Sequence, residues 1–199
     1  MIHNVIGVEL LSQSLLPAIV DLAEDSKWRV RHAIIEHIPK LAEQLGCDFF
    51  NDKLSNLCMA WLGDEVYSIR RSAAANLYKL SAQFGEEWTM EYIFPRIEKM
   101  HTHANYLQRM TALYGIQVLV KSLSKSCVEK QVLPIVSKLA DDKVPNVRLN
   151  VARTLLEALT KSGHNYSSKT LSTGVLPLLT RLSSDDDRDV RYYAVKVKS

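Results

Sequence analysis

The sequence has few cysteines, and their spacing does not suggest a metal or redox site. Cys47, Cys58 and Cys127 are odd in number and lack the C-x2-C spacing of structural zinc sites. Cys58 lies between Leu57 and Met59 on an apolar helix, so we interpret it as a packing residue rather than a nucleophile. Unpaired thiols of this kind are typical of a cytosolic protein.

Long apolar runs and a strong charge of one sign are also missing. No run approaches the roughly 18 apolar residues of a transmembrane helix. The N-terminus carries Glu9 and no charged n-region, unlike a signal peptide. Lysine and arginine number 25 against 22 acidic residues, a formal net charge of +3. That balance gives no indication of a nucleic-acid partner, which would need Lys and Arg concentrated on one face.

Glycine is scarce as well, with seven residues in 199. Three of the seven follow apolar helical segments and are expected to end helices: Gly46, Gly85 and Gly163. The remaining glycines form no loop of the kind that cradles a phosphate. Nucleotide-binding enzymes are therefore disfavoured.

A repeat near 40 residues is the main feature that the sequence does contain. An arginine recurs at intervals of 39, 39, 39 and 43 residues, as Arg31, Arg70, Arg109, Arg148 and Arg191. Fourteen residues before each arginine stand Pro17, Asn56, Pro95, Pro134 and Pro177. Six residues before each stand Asp25, Asp64, His103, Asp142 and Asp185. Such a period is typical of stacked helical repeats, so we predict an all-α solenoid.

Apolar residues at helical spacing predict two helices in each repeat. In the first repeat, the second helix starts near Val30 and its expected inward positions are Ile34, Ile38, Leu41 and Leu45. The same positions recur in the third repeat as Ala112, Ile116, Leu119 and Leu123. We predict one array of repeats: a lead-in from a preceding repeat (1–13), four repeats (14–52, 53–91, 92–130 and 131–173) and a partial fifth (174–199).

The turn between the two helices of each repeat has a recurrent aromatic position. Three residues before each arginine stand Trp28, Tyr67, Tyr106, Pro145 and Arg188. Connecting turns lie at the surface, so consecutive aromatics there would form an apolar row. Exposed Trp and Tyr, with Arg29 beside them, have the composition of a protein-binding hot spot. In the alternative interpretation, each aromatic folds back over its own turn.

A proline, an aspartate eight residues later and an arginine six after that, between two helices, resemble the HEAT repeat. In that family the Asp and Arg are implicated in an intramolecular ladder that joins successive turns. The corresponding residues here are Asp25, Arg31, Asp64, Arg70, Arg109, Asp142, Arg148, Asp185 and Arg191. His103 occupies the aspartate position of the third repeat, so we expect Arg109 to lack its carboxylate and the ladder to be weaker there.

Longer segments narrow the resemblance. KWRVRHAIIEHIPKLAEQLG, NYLQRMTALYGIQVL and PNVRLNVARTL are similar to the carboxy-terminal HEAT repeats of the scaffold (A, or structural) subunits of protein phosphatase 2A. The similarity extends through loops as well as core positions over nearly the whole chain. It implies a right-handed superhelix that is not an enzyme, needs no cofactor and no metal, and serves as a platform for other subunits.

The resemblance also implies which residues bind a partner. In that family the intra-repeat turns of the last repeats hold the phosphatase catalytic subunit, which implicates Trp28, Arg29, Tyr67, Tyr106, Val144 and Pro145. Regulatory B-type subunits dock mainly on earlier repeats, which are missing here. The resemblance implies no nucleic-acid or membrane partner and a cytoplasmic location, and leaves the nucleus open as a second one.

Other chemistry is weakly indicated. His101-x-His103 is a close histidine pair on a turn, without cysteine or carboxylate at ligand spacing, and we expect both rings to be solvated. The acidic run 185–187 lacks the glycine and final glutamate of a calcium loop. We expect it to form a turn in which Asp189 caps the next helix.

Two other classes of function remain open. One is a HEAT-repeat adaptor of the nuclear-transport or nucleic-acid-binding type, although Glu36, Glu43 and Glu157 alternate with Arg71 and Arg153 on the second helices. This mixture of acidic and basic side chains argues against a surface that binds the phosphates of a nucleic acid. The other is an enzyme, which the motif inventory disfavours.

The fifth repeat has only eight residues after Arg191, fewer than the others. We therefore predict that its last helix frays, because stability in such arrays comes from stacking. Hydrogen exchange measures this directly, and uniform protection of all five repeats would contradict it.

Overall fold

The computed structural model describes residues 15–158, 166 and 168–198, and every regular element in those ranges is helical. The α-helices are α1 (helical at 15–23), α2 (Trp28–Leu45), α3 (Cys47–Phe49), α4 (Ser55–Ala60), α5 (Tyr67–Trp88), α6 (Phe94–His101), α7 (Tyr106–Leu119), α8 (Lys125–Cys127), α9 (Leu133–Leu139), α10 (Pro145–Leu156), α11 (Ser168–Thr170), α12 (Leu176–Leu182) and α13 (Arg188–Lys198). Within the described ranges, no helix is both long enough and apolar enough to cross a membrane.

A π-helical turn of five residues recurs at the repeat period. The four turns are Phe50–Leu54, Thr89–Ile93, Val128–Val132 and Leu171–Val175. Each one joins the short helix or helix end before it to the helix after it, so α3 and α4 form one bent segment, as do α8 and α9. Since a π turn holds an extra residue, it shifts the inward-facing register of the helix that follows. The sequence analysis did not predict these turns.

The chain forms two compact units, Met1–Phe84 and Gly85–Ser199. Gly85, with φ 92° and ψ 174°, interrupts α5 at the start of the second unit. Gly46, with φ 85° and ψ 169°, separates α2 from α3 in the first. Both glycines end helices as predicted, whereas Gly163 lies outside the described residues. The predicted repeat boundaries stay a prediction.

The core of unit 1 lies between α2, α4 and α5 and the π turn at Phe50–Leu54. On α2 the buried residues are Arg31, Ile35, Ile38 and Ala42. Of the expected inward positions, Ile38 is buried as predicted, whereas Ile34, Leu41 and Leu45 are only half-buried. A helix buries a broad face and not a single row of residues. Ile35 and Ala42 lie on the side of this face that the neighbouring helices cover.

The core of unit 2 follows the predicted positions more closely. Ala112, Ile116, Leu119 and Leu123 are all buried. Helix α7 packs against α6 and α10, and α10 packs against α13. This side-by-side arrangement of second helices places successive intra-repeat turns of unit 2 beside one another.

Gly46 allows a specific test of backbone strain. Its φ and ψ lie in a region that is essentially restricted to glycine, so Gly46→Ala should lower the free energy of unfolding by about 1–3 kcal/mol. No atom lies within 4 Å of the added Cβ, so the loss would come from the backbone alone. Urea denaturation measures it.

Gly174→Ala is the matched control, because this glycine lies in a helical turn and its added Cβ would meet Leu133 Cδ1 at an ordinary 3.9 Å. We expect that variant to gain about 0.4–1 kcal/mol. Equal midpoints for Gly46→Ala and the wild type would show that the backbone at Gly46 is not strained.

Candidate functional site

Each intra-repeat turn starts with a side chain that accepts a hydrogen bond from the backbone two residues on. Asp25 Oδ1 accepts from Lys27 N at 2.7 Å, and Asp64 Oδ1 accepts from Val66 N at 2.8 Å. Asp142 and Asp185 make the same contact, each at 2.9 Å. This local bond explains the recurrent aspartate, because it fixes the chain direction into the second helix.

His103 reproduces this turn with a different acceptor. Its Nδ1 accepts from Asn105 N at 3.0 Å, which places the ring proton of the neutral form on Nε2. The side chain of Asn105 in turn accepts from Leu107 N at 3.0 Å and caps α7. The third turn therefore keeps its shape without an aspartate.

The recurrent arginine closes its own turn from within. Arg31 Nη1 donates to the carbonyl oxygens of Asp25 and Ser26, at 2.7 and 3.2 Å. Nη1 of each of the other recurrent arginines donates to at least one carbonyl of its own turn: Arg70, Arg109, Arg148 and Arg191. These bonds use only one end of the guanidinium.

The other edge of the guanidinium holds the aspartate of the following turn. Arg31 donates from Nε and Nη2 to Asp64 at 2.9 and 3.0 Å. In unit 2, Arg109 pairs with Asp142 at 2.5 and 2.9 Å and Arg148 pairs with Asp185 at 2.6 and 2.8 Å. Bidentate, largely buried pairs of this kind are strong and directional.

Arg109 therefore does not lack a carboxylate, and our expectation on this point was wrong. Arg31, Arg109 and Arg148 each pair with the aspartate of the next turn rather than with that of their own. The aspartate lies 33 residues after Arg31 and Arg109, and at that spacing from Arg70 the sequence has His103. In the described part of the chain, Arg70 donates to the carbonyl oxygens of Asp64 and Glu65 and to no carboxylate.

The ion pairs alter the acidity of the aspartates. The hydrogen bond from Arg148 lowers the pKa of Asp185, against the opposing effect of burial. Burial alone would raise the pKa of Asp142, but the hydrogen bonds from Arg109 and Val144 outweigh it, and the pKa is lowered. Both carboxylates are therefore held in the ionised form that the turns require.

In unit 1, the aromatic turn position begins the second helix of each pair. Trp28 is the first residue of α2; it is half-buried, meets His32 edge-on at 6.2 Å and has the Arg29 guanidinium 4.6 Å from its ring centre. Tyr67, the first residue of α5, is 62% exposed. Trp28 thus packs partly against the first residues of its own helix, whereas Tyr67 presents its ring to solvent.

In unit 2, the same position lies at the start of α7 and α10. Tyr106 is 41% exposed, and Leu107 beside it is also exposed, which adds an apolar residue that the sequence analysis missed. Val144 is half-buried before α10, and Pro145 is exposed as its first residue. Since α7 and α10 pack side by side, Tyr106 and Pro145 start neighbouring helices.

The histidine pair and the acidic run differ from expectation. His101 is buried rather than solvated, because the last turn of α6 points it inward, while His103 is exposed.

Asp187, not Asp189, caps α13: its Oδ1 accepts from the backbone N of Asp189 and Val190 at 2.9 and 3.1 Å. Only a residue just before the helix reaches those amides. No group of three potential metal ligands occurs in the described ranges.

The lowered pKa values predict how stability depends on pH. A carboxylate whose folded pKa lies below its unfolded value of about 3.9 stabilises the fold above that value, and the stabilisation is lost as pH falls through the folded pKa. Asp142→Asn with Asp185→Asn should therefore lower the free energy of unfolding at pH 7 by at least about 2 kcal/mol. It should also flatten the loss of stability between pH 5 and pH 2, measured by urea denaturation.

Asp52→Asn is the control, because Asp52 is an exposed carboxylate paired only with its neighbour Lys53. Its effect should stay within about 0.5 kcal/mol at pH 7. A double variant that loses stability on acidification as steeply as the wild type would show that these two pairs do not carry the pH dependence.

Comparisons with known proteins agree with the geometry of the turns. Residues 15–45 match the model of the HEAT repeat. The regulatory A subunit of protein phosphatase PP2A from Saccharomyces cerevisiae is 47% identical over 123 residues, which cover 59% of this chain and 19% of that protein. The protein of the same name from Schizosaccharomyces pombe is 48% identical over 63 residues, 32% of this chain and 11% of that protein.

Among solved structures, that of Cex1p superimposes with a TM-score of 0.68 at 15% identity, over 96% of this chain and 37% of that one. At this identity the likeness concerns the fold alone. The chain spans less than a fifth of the length of the two phosphatase relatives. The predicted all-α HEAT-repeat fold and the predicted resemblance are confirmed: residues 15–45 match the HEAT repeat, and parts of the sequence are similar to the regulatory A subunits of protein phosphatase 2A.

Proposed function

We propose that this chain is a non-catalytic regulatory or scaffold subunit of a protein phosphatase 2A holoenzyme and binds the catalytic subunit through its intra-repeat turns. The observation that carries the proposal is the 47% identity over 123 residues to a protein named as a regulatory subunit of that phosphatase. A non-catalytic role is in keeping with the names of both relatives, which are regulatory subunits.

The residues proposed to touch the catalytic subunit are Trp28, Arg29, Tyr67, Tyr106, Val144 and Pro145. Support comes from the exposure of Tyr67 and Tyr106 at helix starts, where the surrounding backbone is fixed by the arginine and aspartate bonds. A rigid aromatic side chain loses little entropy on binding, and aromatic and arginine anchors often contribute about 2 kcal/mol or more each. The ladder residues would hold these anchors in place rather than bind the partner.

The stacking of Arg29 on Trp28 suggests that the two act together. The guanidinium 4.6 Å from the ring centre keeps the indole face covered on one side and leaves the cation beside an apolar surface. In an interface that buries both side chains, the ring would contribute buried apolar surface and the arginine would contribute a charged hydrogen bond.

The proposal also covers the other subunits of the holoenzyme and its location in the cell. B-type regulatory subunits would bind repeats outside this stretch, and the holoenzyme would act in the cytoplasm and, as a second location, in the nucleus. The adaptor alternative has less support, because exposed Glu36 and Glu43 on α2 would repel a nucleic-acid backbone.

Replacing Trp28, Tyr67 and Tyr106 together by alanine should weaken binding to the phosphatase catalytic subunit. The Kd should rise at least about a hundredfold, equivalent to about 2.7 kcal/mol. The reason is the loss of three large apolar contacts at the proposed docking positions. Binding is measured by biolayer interferometry, and circular dichroism should show unchanged helicity, because no core residue is altered.

The control variant is Tyr78→Ala, since this ring is exposed but lies eleven residues after Tyr67 in α5, away from the turn. It should bind like the wild type. A triple variant that keeps its Kd within about threefold would remove the aromatic positions from the interface. If even the wild-type chain fails to bind, the proposed function is wrong for this chain.

A further inference from the structure

A groove of about 500 Å³ lies in unit 2, beside the turn that leads into α7. Its walls are the end of α6 with the turn at 101–104, the end of α9, and the turn at 142–143 that leads into α10. The groove thus lies between the turn that starts at His103 and the turn that starts at Asp142. Both of these turns carry proposed docking residues, Tyr106 on one and Val144 with Pro145 on the other.

The charge lining this groove is positive. Arg109 and Asp142 neutralise each other through their bidentate pair. Lys138 and Lys143 are exposed at the rim, and in the described part of the chain neither lysine forms an ion pair. Asp141, the remaining carboxylate beside them, pairs with Arg181 at 2.7 Å. The ammonium group of Lys143 interacts electrostatically with Asp142, whose carboxylate is already paired with Arg109, and Lys138 has no paired carboxylate among the described residues. The groove lining therefore carries a net positive charge.

Histidine side chains add hydrogen-bonding groups to the same wall. His101 is only 8% exposed, and neither of its ring nitrogens has a hydrogen-bond partner among the described residues. Buried polar groups without partners are costly, so they are rare unless something else satisfies them. His103 uses Nδ1 as an acceptor within its own turn, which leaves Nε2–H as a donor.

We propose that this groove receives the carboxylate of an acidic side chain carried by the protein that docks on the turns of unit 2. The inference rests on the proposed function and adds the chemistry of the partner at this point. Lys138 and Lys143 supply the charge and His103 supplies the N–H of Nε2, while His101 lies in the same wall with two buried ring nitrogens that have no partner among the described residues. The site adjoins the docking positions in sequence, since Lys143 precedes Val144 and Ala104 stands two residues before Tyr106.

The geometry favours a carboxylate over a phosphate. Phosphate recognition commonly relies on the bidentate edge of an arginine, and here that edge of Arg109 is occupied by Asp142. Arg109 Nη1 is also engaged, by the carbonyl oxygens of His103 and Ala104. The groups left over are two ammonium point charges and imidazole N–H groups, which match a single negative charge.

The first test is an NMR titration of the full chain with hexaglutamate, observing the ring signals of the histidines. We expect saturable shifts of the His101 and His103 signals in the wild type and none in the Lys138→Glu, Lys143→Glu variant. Lys79→Glu with Lys130→Glu changes the net charge equally at exposed lysines outside the groove, and should respond like the wild type.

Hexaglutamate that shifts neither histidine signal, or that shifts them equally in the groove variant, would overturn the proposal. A phosphoserine hexapeptide that binds at least tenfold more tightly than hexaglutamate would overturn the choice of a carboxylate.

The second test uses the phosphatase catalytic subunit. The groove variant should bind it at least tenfold more weakly at low salt and with a smaller salt dependence, while the control lysine variant should keep its affinity. Unchanged binding by the groove variant, with the wild type binding well, would reject the groove and leave the proposed function standing. Absence of wild-type binding would reject the proposed function, and the hexaglutamate titration still decides the groove.

His101→Leu separates a binding role from a packing role. Leucine removes an unpartnered polar group from a buried position, so the variant should unfold at a higher temperature than the wild type. It should also bind hexaglutamate more weakly, because an imidazole whose ring nitrogens are unpartnered is lost from the wall of the groove. A variant that is more stable and binds hexaglutamate unchanged would exclude His101 from the site.

Discussion

The turns of this protein depend on the way one arginine side chain divides its hydrogen bonds. One end of the guanidinium donates hydrogen bonds to backbone carbonyls of the arginine's own turn. The other edge donates to the aspartate of the next turn, as Arg31 does to Asp64. That aspartate in turn fixes the backbone of the turn that carries it. Local turn geometry and repeat stacking are therefore specified by the same few atoms. Since buried ion pairs add little net stability, we interpret the ladder mainly as a device that sets register between repeats.

The ladder connects directly to the candidate functional surface. Four of the six residues proposed to bind the phosphatase are the first ones of α2, α5, α7 and α10, only three residues before the arginines, and the other two, Arg29 and Val144, adjoin them. Their backbone is rigid because the bonds around them are satisfied, so their side chains are presented without a large entropic cost on binding. In unit 2 the same architecture leaves a cationic groove between two adjacent turns, where charge lies beside the apolar anchors. Apolar anchors with polar groups around them are typical of protein interfaces.

Sequence reasoning succeeded where a property repeats and failed where it depends on neighbours. The arginine, aspartate and turn positions were found from spacing, because each repeat places them in the same environment. The partner of Arg109 was assigned incorrectly, since spacing gives the pattern but not which turn an extended side chain reaches. His101 was expected to be solvated because it lies next to a turn. The sequence does not show whether the last turn of α6 directs this side chain towards the core or towards solvent. The π-helical turns were missed because a search for helical periodicity assumes a constant number of residues per turn.

The sequence alone determined the helical repeat, the helix ends at Gly46 and Gly85 and the similarity to phosphatase regulatory subunits. These features follow from local residue spacing and from sequence identity. Only the tertiary structure decided which face of α2 is buried and that three of the recurrent arginines pair with the aspartate of the next turn. It also decided that Lys138, Lys143 and His101 line one groove. The physical reason is that these features arise between residues distant in the chain, where packing rather than local backbone preference sets the distances.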